Sequence, residues 1–564
     1  MMTIIKLNLH YLGLTFVIAL AIVLRFWNLE LKPLWMDEVI TAIFSLGKNY
    51  SSIPLDVIFS LDSLRDVFSY QTGVSCPQVA QNIATESTHP PLFFCGMYAF
   101  LGWMNPLGEN WVGKLRSPSV WFGVGLVVAV YFLNRLAFSR KAGLMGAAFV
   151  AVSPFAVYLS QEARHYTLPM LAIGLSLLAL IQIQQDIFQR QQVRIWLWLI
   201  WTIINIIAIY IHYFCIIAFI AQVATLLLLA WRKVGSSLLL STITVVISLI
   251  PWFGIVLNHL NRSETSWLPT PQNIEPLYQT LISWVVMVIM LPVEHQPLPI
   301  IIVSALLMLL FTGWLGWKVF RGIKLLLQDS VTRLSTLTLL SFTALVLLGI
   351  FMISYILGKD ITVAPRYNFI YYPSFSALIA ASLISNNNSF PQEEHRSNTN
   401  FKIKNRSLLI ILLIGFISCI FVVYNLAFHK PYLPKQVAQN IYQEPSVPVM
   451  AIMAYSNYQD VALGLSFALA LEKEIQISQN SNNPALKYSK FGFLNQSSDF
   501  QSIFKQLSQL PNQNISQLNL WIFAPGRRRR DYPQKTRVSQ LSCNIDVDRH
   551  YRIGIPYQLY RCKI

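Results

Sequence analysis

Most of the chain is a succession of long apolar runs separated by short polar interruptions, and that pattern sets its class. The first run covers residues 11–27, behind a short start that carries Lys6. It ends on Arg25, Phe26 and Trp27 with no small-residue cleavage site after it, so it is expected to stay as a first membrane span. Ten further runs lie at roughly 118–137, 142–159, 167–184, 195–212, 213–230, 236–257, 299–320, 334–357, 367–385 and 408–428. Each is long enough to cross a hydrocarbon core of about 30 Å. The expected count is eleven spans. Two shorter runs, 92–104 behind Pro90-Pro91 and 277–292 ending at Pro292, would raise it to thirteen.

Charge arbitrates between these counts. With the short runs left out, Arg140-Lys141, Arg190 with Arg194, Arg232-Lys233, the group Lys318, Arg321, Lys324 and Arg333, and the group Arg396, Lys402, Lys404 and Arg406 all share the side of Lys6. That is the positive-inside pattern. Crossing by one short run would move several of these clusters outside, and crossing by both would invert the stretch between them. Both runs are therefore expected as helices lying at the outer interface.

The expected fold class is an all-α polytopic membrane protein with a small α/β domain at its C-terminus. The membrane domain is 1–428, with a first outer loop at 28–117 and a polar inner linker at 386–407. The C-terminal outer domain is 429–564. In it, Val449–Tyr455 alternates like a strand, 460–473 has helical periodicity, and Leu518–Phe523 and Tyr551–Leu559 have strand character. Its Arg527-Arg528-Arg529-Arg530 run favours the inside by charge alone, but a long translocated domain largely escapes that rule. A grip on an anionic acceptor or on lipid head groups is the functional alternative to a solvated loop there.

Composition narrows the classes further. Of 564 residues, 54% are hydrophobic and 12% charged, which excludes a soluble globular enzyme and a disordered chain. The net charge of +17 does not point to nucleic acid, because much of it sits in the inner loops that orient the spans. The six cysteines form no CxxC pair, and Cys215 and Cys419 lie in apolar runs. On the outer face, Cys76 with Cys95 and Cys543 with Cys562 are chemically able to form disulfides. Two bridges and four free thiols both stay open.

The chemistry-bearing residues are polar groups stranded at the outer ends of spans, where burial is costly. Asp37 and Glu38 follow Trp35-Met36 just after the first span. A carboxylate there suits a general base or a metal contact, and a helix cap is the structural alternative. His89 precedes Pro90-Pro91, with Glu86 as a nearby alternative. Ser160-Gln161-Glu162-Ala163-Arg164-His165-Tyr166 joins two spans with more polar side chains than a turn needs. Glu162 and Tyr166 are four apart and share a helix face if the next span starts early. His212-Tyr213 forms a short hinge, and Arg366-Tyr367 opens a later span. Arg116 stands just before the span at 118. Outer arginines suit bidentate phosphate binding, and a snorkelling anchor is the plainer role.

These motifs resemble those of the GT-C membrane glycosyltransferases, family 39 and its relatives, a group that includes the protein O-mannosyltransferases and the lipid A aminoarabinose transferase. The resemblance covers roughly residues 10–385 and rests on Trp35-Met36-Asp37-Glu38, His89-Pro90-Pro91-Leu92 and the Ser160–Tyr166 element. His212-Tyr213-Phe214 and Pro365-Arg366-Tyr367 add to it. It implies an outer-face enzyme that takes a sugar from a polyprenyl-phosphate carrier in one inverting step. Asp37 would be the base, with Glu38 beside it. Arg164 and Arg366 would hold the carrier phosphate, and His89, Arg116, Glu162, Tyr166, His212 and Tyr367 would line the substrate site. The expected partners are that donor, the bilayer, and an acceptor of unspecified kind (glycan, lipid or protein). A divalent metal is used by some members, but here Glu86 lies farther from the Pro-Pro pair than in the aminoarabinose branch. The tail does not match a β-trefoil, so protein O-mannosylation is not implied. A lipid-linked-sugar transporter or a non-catalytic scaffold are the alternative classes. The chain shows no internal repeat, and its polar groups sit at one face rather than mid-span, unlike many transporters.

Overall fold

The computed structural model describes residues 2–260, 262, 264, 267–388, 398–477, 489–496, 499–511 and 515–564. Residues 389–397 of the linker expected at 386–407 lie outside them. The chain forms two compact units. One comprises Met1–Leu31, Thr88–Phe93 and Leu115–Phe428. The other comprises Lys32–Ser87, Phe94–Lys114 and His429–Ile564.

The first unit is helical. Among the described residues, seven helical stretches are long and apolar enough to cross a membrane, or eight if one broken pair counts as a span. Helix Leu298–Gln328 leaves Val303, Leu306, Leu309 and Leu310 exposed, an apolar surface suited to lipid.

The broken pair replaces the single run expected at 142–159. Helices Arg140–Ala151 and Pro154–Ser160 meet at a bend of 59°. Pro154 has no N–H to continue the first helix, and the Ser153 hydroxyl caps the second by accepting from Ala156 N. The break frees the Val150 and Ala151 carbonyls inside the protein. The fully buried Arg25 guanidinium donates to both, at 3.0 and 3.1 Å, and also to Ser160 Oγ and Ala21 O. Gln161 does the converse. Its Nε2 donates to Trp27 O at 2.8 Å and makes longer contacts to the Leu24 and Arg25 carbonyls. Each segment thus satisfies the other's open helix end.

Helix Cys215–Leu260 spans the two runs expected at 213–230 and 236–257. A straight helix of that length would be about 69 Å long. Yet Tyr213 Oη lies 3.0 Å from His259 Nδ1, and Tyr210 Oη donates to Ser248 O at 2.7 Å. The chain therefore folds back within this element, and the two runs pack side by side.

The second unit is built on a seven-stranded mixed sheet. Its strands are β1 (Ile58–Ser60), β2 (Val449–Tyr455), β3 (Lys490–Asn495), β4 (Gln517–Phe523), β5 (Lys535–Val538), β6 (Leu541–Ile553) and β7 (Ile555–Lys563), in the order β1-β3-β2-β4-β7-β6-β5. β2 runs parallel to both β3 and β4, and all seven of its residues are buried. The alternation expected there is absent because this central strand is apolar on both faces. The run expected as one strand at Tyr551–Leu559 is a hairpin instead. It turns at Gly554, where φ is +76° and a Cβ would strike the Tyr432 ring.

Residues of the first loop complete this sheet. β1 pairs antiparallel with β3, and the Asp56 carboxylate accepts from Asn495 N at 2.9 Å and from Tyr455 Oη at 3.1 Å. Tyr50 stacks on Tyr458 at 4.2 Å. Segments that share a sheet lie on the same side of any membrane, so the number of crossings between the first loop and the tail is even. With the first helix included, the total is odd.

Both cysteine pairs are disulfides in this unit. Cys76 is joined to Cys95, and Cys543 to its cross-strand neighbour Cys562, while Cys215 and Cys419 are free and buried. Peptide mapping without reduction is expected to find those two linked pairs, with only Cys215 and Cys419 alkylated after denaturation. Arg25→Leu, which strands the Val150 and Ala151 carbonyls, is expected to cost about 3 kcal/mol. Thermal unfolding in detergent should show this as a clear drop in midpoint, larger than that of a lipid-facing Leu306→Ala control.

Candidate active site

The polar segments at 88–93, 160–166, 212–214, 259 and 365–369 converge within the first unit. Arg164 Nη2 donates to His89 Nε2 at 3.0 Å. The His165 ring lies 5.1 Å from that of His89 and 4.6 Å from that of His212. Tyr166 packs 6.0 Å from His212 and 6.4 Å from Tyr367, and Phe369 lies 4.8 Å from His212. The Arg164 guanidinium lies over the Tyr166 ring, and that of Arg366 lies over Trp267 and Tyr367. Glu162, Arg164, His165 and Tyr166 are all buried.

Local structure explains the convergence. Helix Thr167–Gln185 begins only after the polar turn, so Glu162 and Tyr166 do not share a helix face as the spacing suggested. The turn is held instead by Gln161 on the first helix end and by Ser119, whose hydroxyl donates to Arg164 O at 2.9 Å. Thr167 Oγ1 returns a bond to Ser119 O at 3.0 Å. Arg116, one turn earlier, is fully buried and donates to Leu29 O at 2.6 Å. Its guanidinium thus meets the end of the first helix, and none of these contacts brings it to the histidines.

The histidines are neutral hydrogen-bonding groups here. His89 Nε2 accepts from an arginine, which can only donate, so its proton is on Nδ1. His212 Nδ1 accepts from Phe214 N at 3.1 Å, so its proton is on Nε2. Burial, and then the nearby Arg164 guanidinium, push His212 down to about 3. Burial lowers His89 and His165 too, reinforced by their cationic neighbours, among them Arg164 and Arg366. His165 stands out because neither ring nitrogen has a hydrogen-bond partner although the side chain is buried. A buried polar group in that condition points to a ligand.

The donor set suits an anion. Two guanidiniums stand among neutral histidines and aromatic rings, and the Nε2 lone pair of His89 that a metal would need is taken by Arg164. Among the described residues, no group of three or more His, Cys, Asp or Glu is placed to hold a metal ion. The cluster does not fit a divalent cation.

Asp37 and Glu38 belong to the second unit. They lie in the first turn of helix Met36–Ser45, both buried, with Trp35 rather than Asp37 at the cap position. The helix N-terminus favours carboxylates there. The tail fixes this segment: Ser466 Oγ donates to Leu34 O, and Lys430 Nζ lies 4.0 Å from the centre of the Trp35 ring. Glu86, the alternative to His89, accepts from Tyr50 N at 2.8 Å and so serves the fold of this unit.

Sequence reasoning left out His259, Trp267 and Phe369. His259 sits at the end of an apolar run and meets Tyr213, whose oxygen also accepts from Trp252 Nε1 at 2.8 Å. No spacing rule links positions 213 and 259, which the fold-back brings together.

The lowered histidine pKa values carry a stability consequence. A buried histidine that stays neutral while its unfolded form protonates stabilises the fold fully above pH 6.5 and progressively less as pH falls below it. Each such group contributes a slope of about 1.4 kcal/mol per pH unit. The thermal midpoint is expected to fall steadily from pH 6.5 toward pH 4, and His212→Gln should flatten that slope.

No family model matches the chain, and no curated protein matches it. Among solved structures, ArnT from Cupriavidus metallidurans bound to undecaprenyl phosphate is 12% identical, with a TM-score of 0.53 over 97% of both chains. Its apo form gives 11% identity and the same score and coverage. The oligosaccharyltransferase AglB from Archaeoglobus fulgidus gives 12% identity and a TM-score of 0.46, covering 82% of this chain and 64% of its own. The likeness to ArnT extends over nearly the whole of both chains, tail included, and establishes the architecture: this is a multi-pass membrane protein with the GT-C fold.

Proposed function

We propose that the protein is an integral-membrane glycosyltransferase that moves a sugar from a polyprenyl-phosphate carrier to an acceptor hydroxyl on the extracytoplasmic face. The observation that carries this reading is the cluster of buried Arg164, His165 and His212 with half-buried His89 and Arg366, formed by segments far apart in sequence. Fixed guanidiniums stabilise the charge that develops on a phosphate leaving group. The GT-C fold shared with an ArnT bound to undecaprenyl phosphate supports the same donor class.

In the proposed reaction Asp37 takes the proton of the acceptor hydroxyl. The acceptor oxygen attacks the anomeric carbon from the side opposite the phosphate. The carbon–oxygen bond to the phosphate breaks, its electron pair leaves with the polyprenyl phosphate, and the anomeric configuration inverts. Arg164 and Arg366 hold that phosphate. His165 offers a ring N–H to the bound donor, and Tyr166, His212 and Tyr367 shape the pocket. Glu38 supports Asp37 from the same helical turn. Two disulfides in the unit that carries Asp37 support an oxidising, extracytoplasmic setting, as does the basic character of the opposite loops. The sugar is a hexose or pentose, as in family 39 relatives.

The test is reconstitution in proteoliposomes with radiolabelled polyprenyl-phosphate sugars. Transfer to an acceptor is expected, whereas movement of intact donor across the bilayer would mark a transporter. Asp37→Asn should lower kcat about a hundred- to ten-thousandfold with normal folding and disulfides. Arg366→Ala should raise the donor KM about tenfold or more. Normal turnover in the first variant, or a change confined to acceptor KM in the second, would refute the assignments.

A further inference from the structure

A second site lies in the first unit, away from the histidine cluster. Helices Trp111–Ala137, Thr167–Gln185 and Ile195–Ile211 enclose a groove of about 520 Å³. Its walls are mainly apolar, with Phe132, Leu175, Leu178 and Ile200 among them, and Arg135 and Gln182 are its polar members. Phe132, Trp196 and Ile200 are 45%, 51% and 42% exposed, so the groove opens outward onto a surface suited to lipid chains.

Its depth follows from the helices. Thr167–Gln185 starts at Tyr166, and Gln182 lies sixteen residues further on, about 24 Å away along a helix. Ile195–Ile211 ends at His212, whereas the groove uses Trp196 and Leu197 at its other end. Arg135 stands in the last turn of Trp111–Ala137. All three helices thus place the groove in the leaflet opposite the histidine cluster.

Charge distinguishes this groove from an ordinary lipid-facing crevice. The neighbouring arginines are both engaged in ion pairs, sharing the single Asp186 carboxylate: Arg194 at 2.6 Å and Arg190 at 3.2 Å. Arg135 is half-buried and, among the described residues, has no carboxylate partner. A guanidinium without a carboxylate partner, at the end of an apolar groove between membrane helices, matches a phosphate head with an acyl chain beneath it.

We propose that this groove is a binding site for an anionic phospholipid of the leaflet opposite the histidine cluster. Its phosphate sits on Arg135 and one acyl chain lies along Leu178 and Ile200. The site is independent of the glycosyl-transfer reading, because it shares no residue with the histidine cluster.

The experiment measures lipid retention by native mass spectrometry and thermal midpoint for the full-length protein in detergent. The probes are phosphatidylglycerol, phosphatidylcholine with the same chains, and undecaprenyl phosphate. The expected result is retention of phosphatidylglycerol over phosphatidylcholine by at least fivefold, with a raised midpoint. Arg135→Gln should remove that preference, and Arg190→Gln should leave it intact. Leu178→Trp, which fills the groove, should reduce retention of both phospholipids and decides the matter if the Arg135 variant does not fold. Equal retention of the two phospholipids by the native chain would overturn the proposal. So would equal losses in both arginine variants, or stronger retention of undecaprenyl phosphate than of phosphatidylglycerol.

Discussion

The helical unit depends on the mutual capping of two helix ends inside the protein. Arg25 takes the carbonyls freed where Arg140–Ala151 stops, and Gln161 takes those freed where the first helix stops. An apolar interior offers no water to either end, so an uncapped carbonyl there would carry its full desolvation cost. The bend of 59° falls where Pro154 and the Ser153 cap start a new helix, and the Arg25 guanidinium fills it. The same bend delivers Gln161 and the polar turn behind it, so side-chain hydrogen bonds to open helix ends, and not packing alone, help to position Arg164 and His165.

The second unit shows why neither the first loop nor the tail is self-sufficient. β1 has three residues and no neighbour of its own in the first loop, so it pairs with β3 of the tail. Helix Met36–Ser45 presents its carboxylates from a segment whose carbonyl at Leu34 and ring at Trp35 are held by Ser466 and Lys430. The tail is therefore the support of the acidic helix rather than an appendage. Shared strand pairing puts the Arg527–Arg530 run on the same side of a membrane as the first loop. Backbone hydrogen bonds across a sheet are obligatory once formed, while the exposed Arg528, Arg529 and Arg530, with Arg527 half-buried against Phe500, only bias insertion.

Much of the helical architecture and of the polar cluster was legible in the sequence for one reason. Charged and polar groups inside an apolar pattern are expensive, so Arg164, His212 and Arg366 stood out, and the fold brings their segments together. What was not legible has equally physical causes. Periodicity cannot report the fold-back that joins Tyr213 to His259, because both halves of that element are uniformly apolar. β1 is too short to show a period of two. The hairpin at Gly554 looked like a single strand because both its arms are rich in aromatic and β-branched residues. Arg25 looked like the polar end of a span, and only the break at Pro154 gives it a role.

In the cluster, neutral histidines stand beside one buried arginine, Arg164, and one half-buried arginine, Arg366. Guanidiniums keep their charge at any physiological pH. Here His89 accepts from Arg164, and Tyr166, Tyr367 and Trp267 offer the negative faces of their rings. Such partners fix direction without cancelling charge. Burial first, and then the neighbouring cationic groups, lower the three histidines, since protonating any of them would place a charge in a buried setting and beside a guanidinium. The acid sensitivity of the fold thus follows from burial and the guanidinium field acting in the same direction.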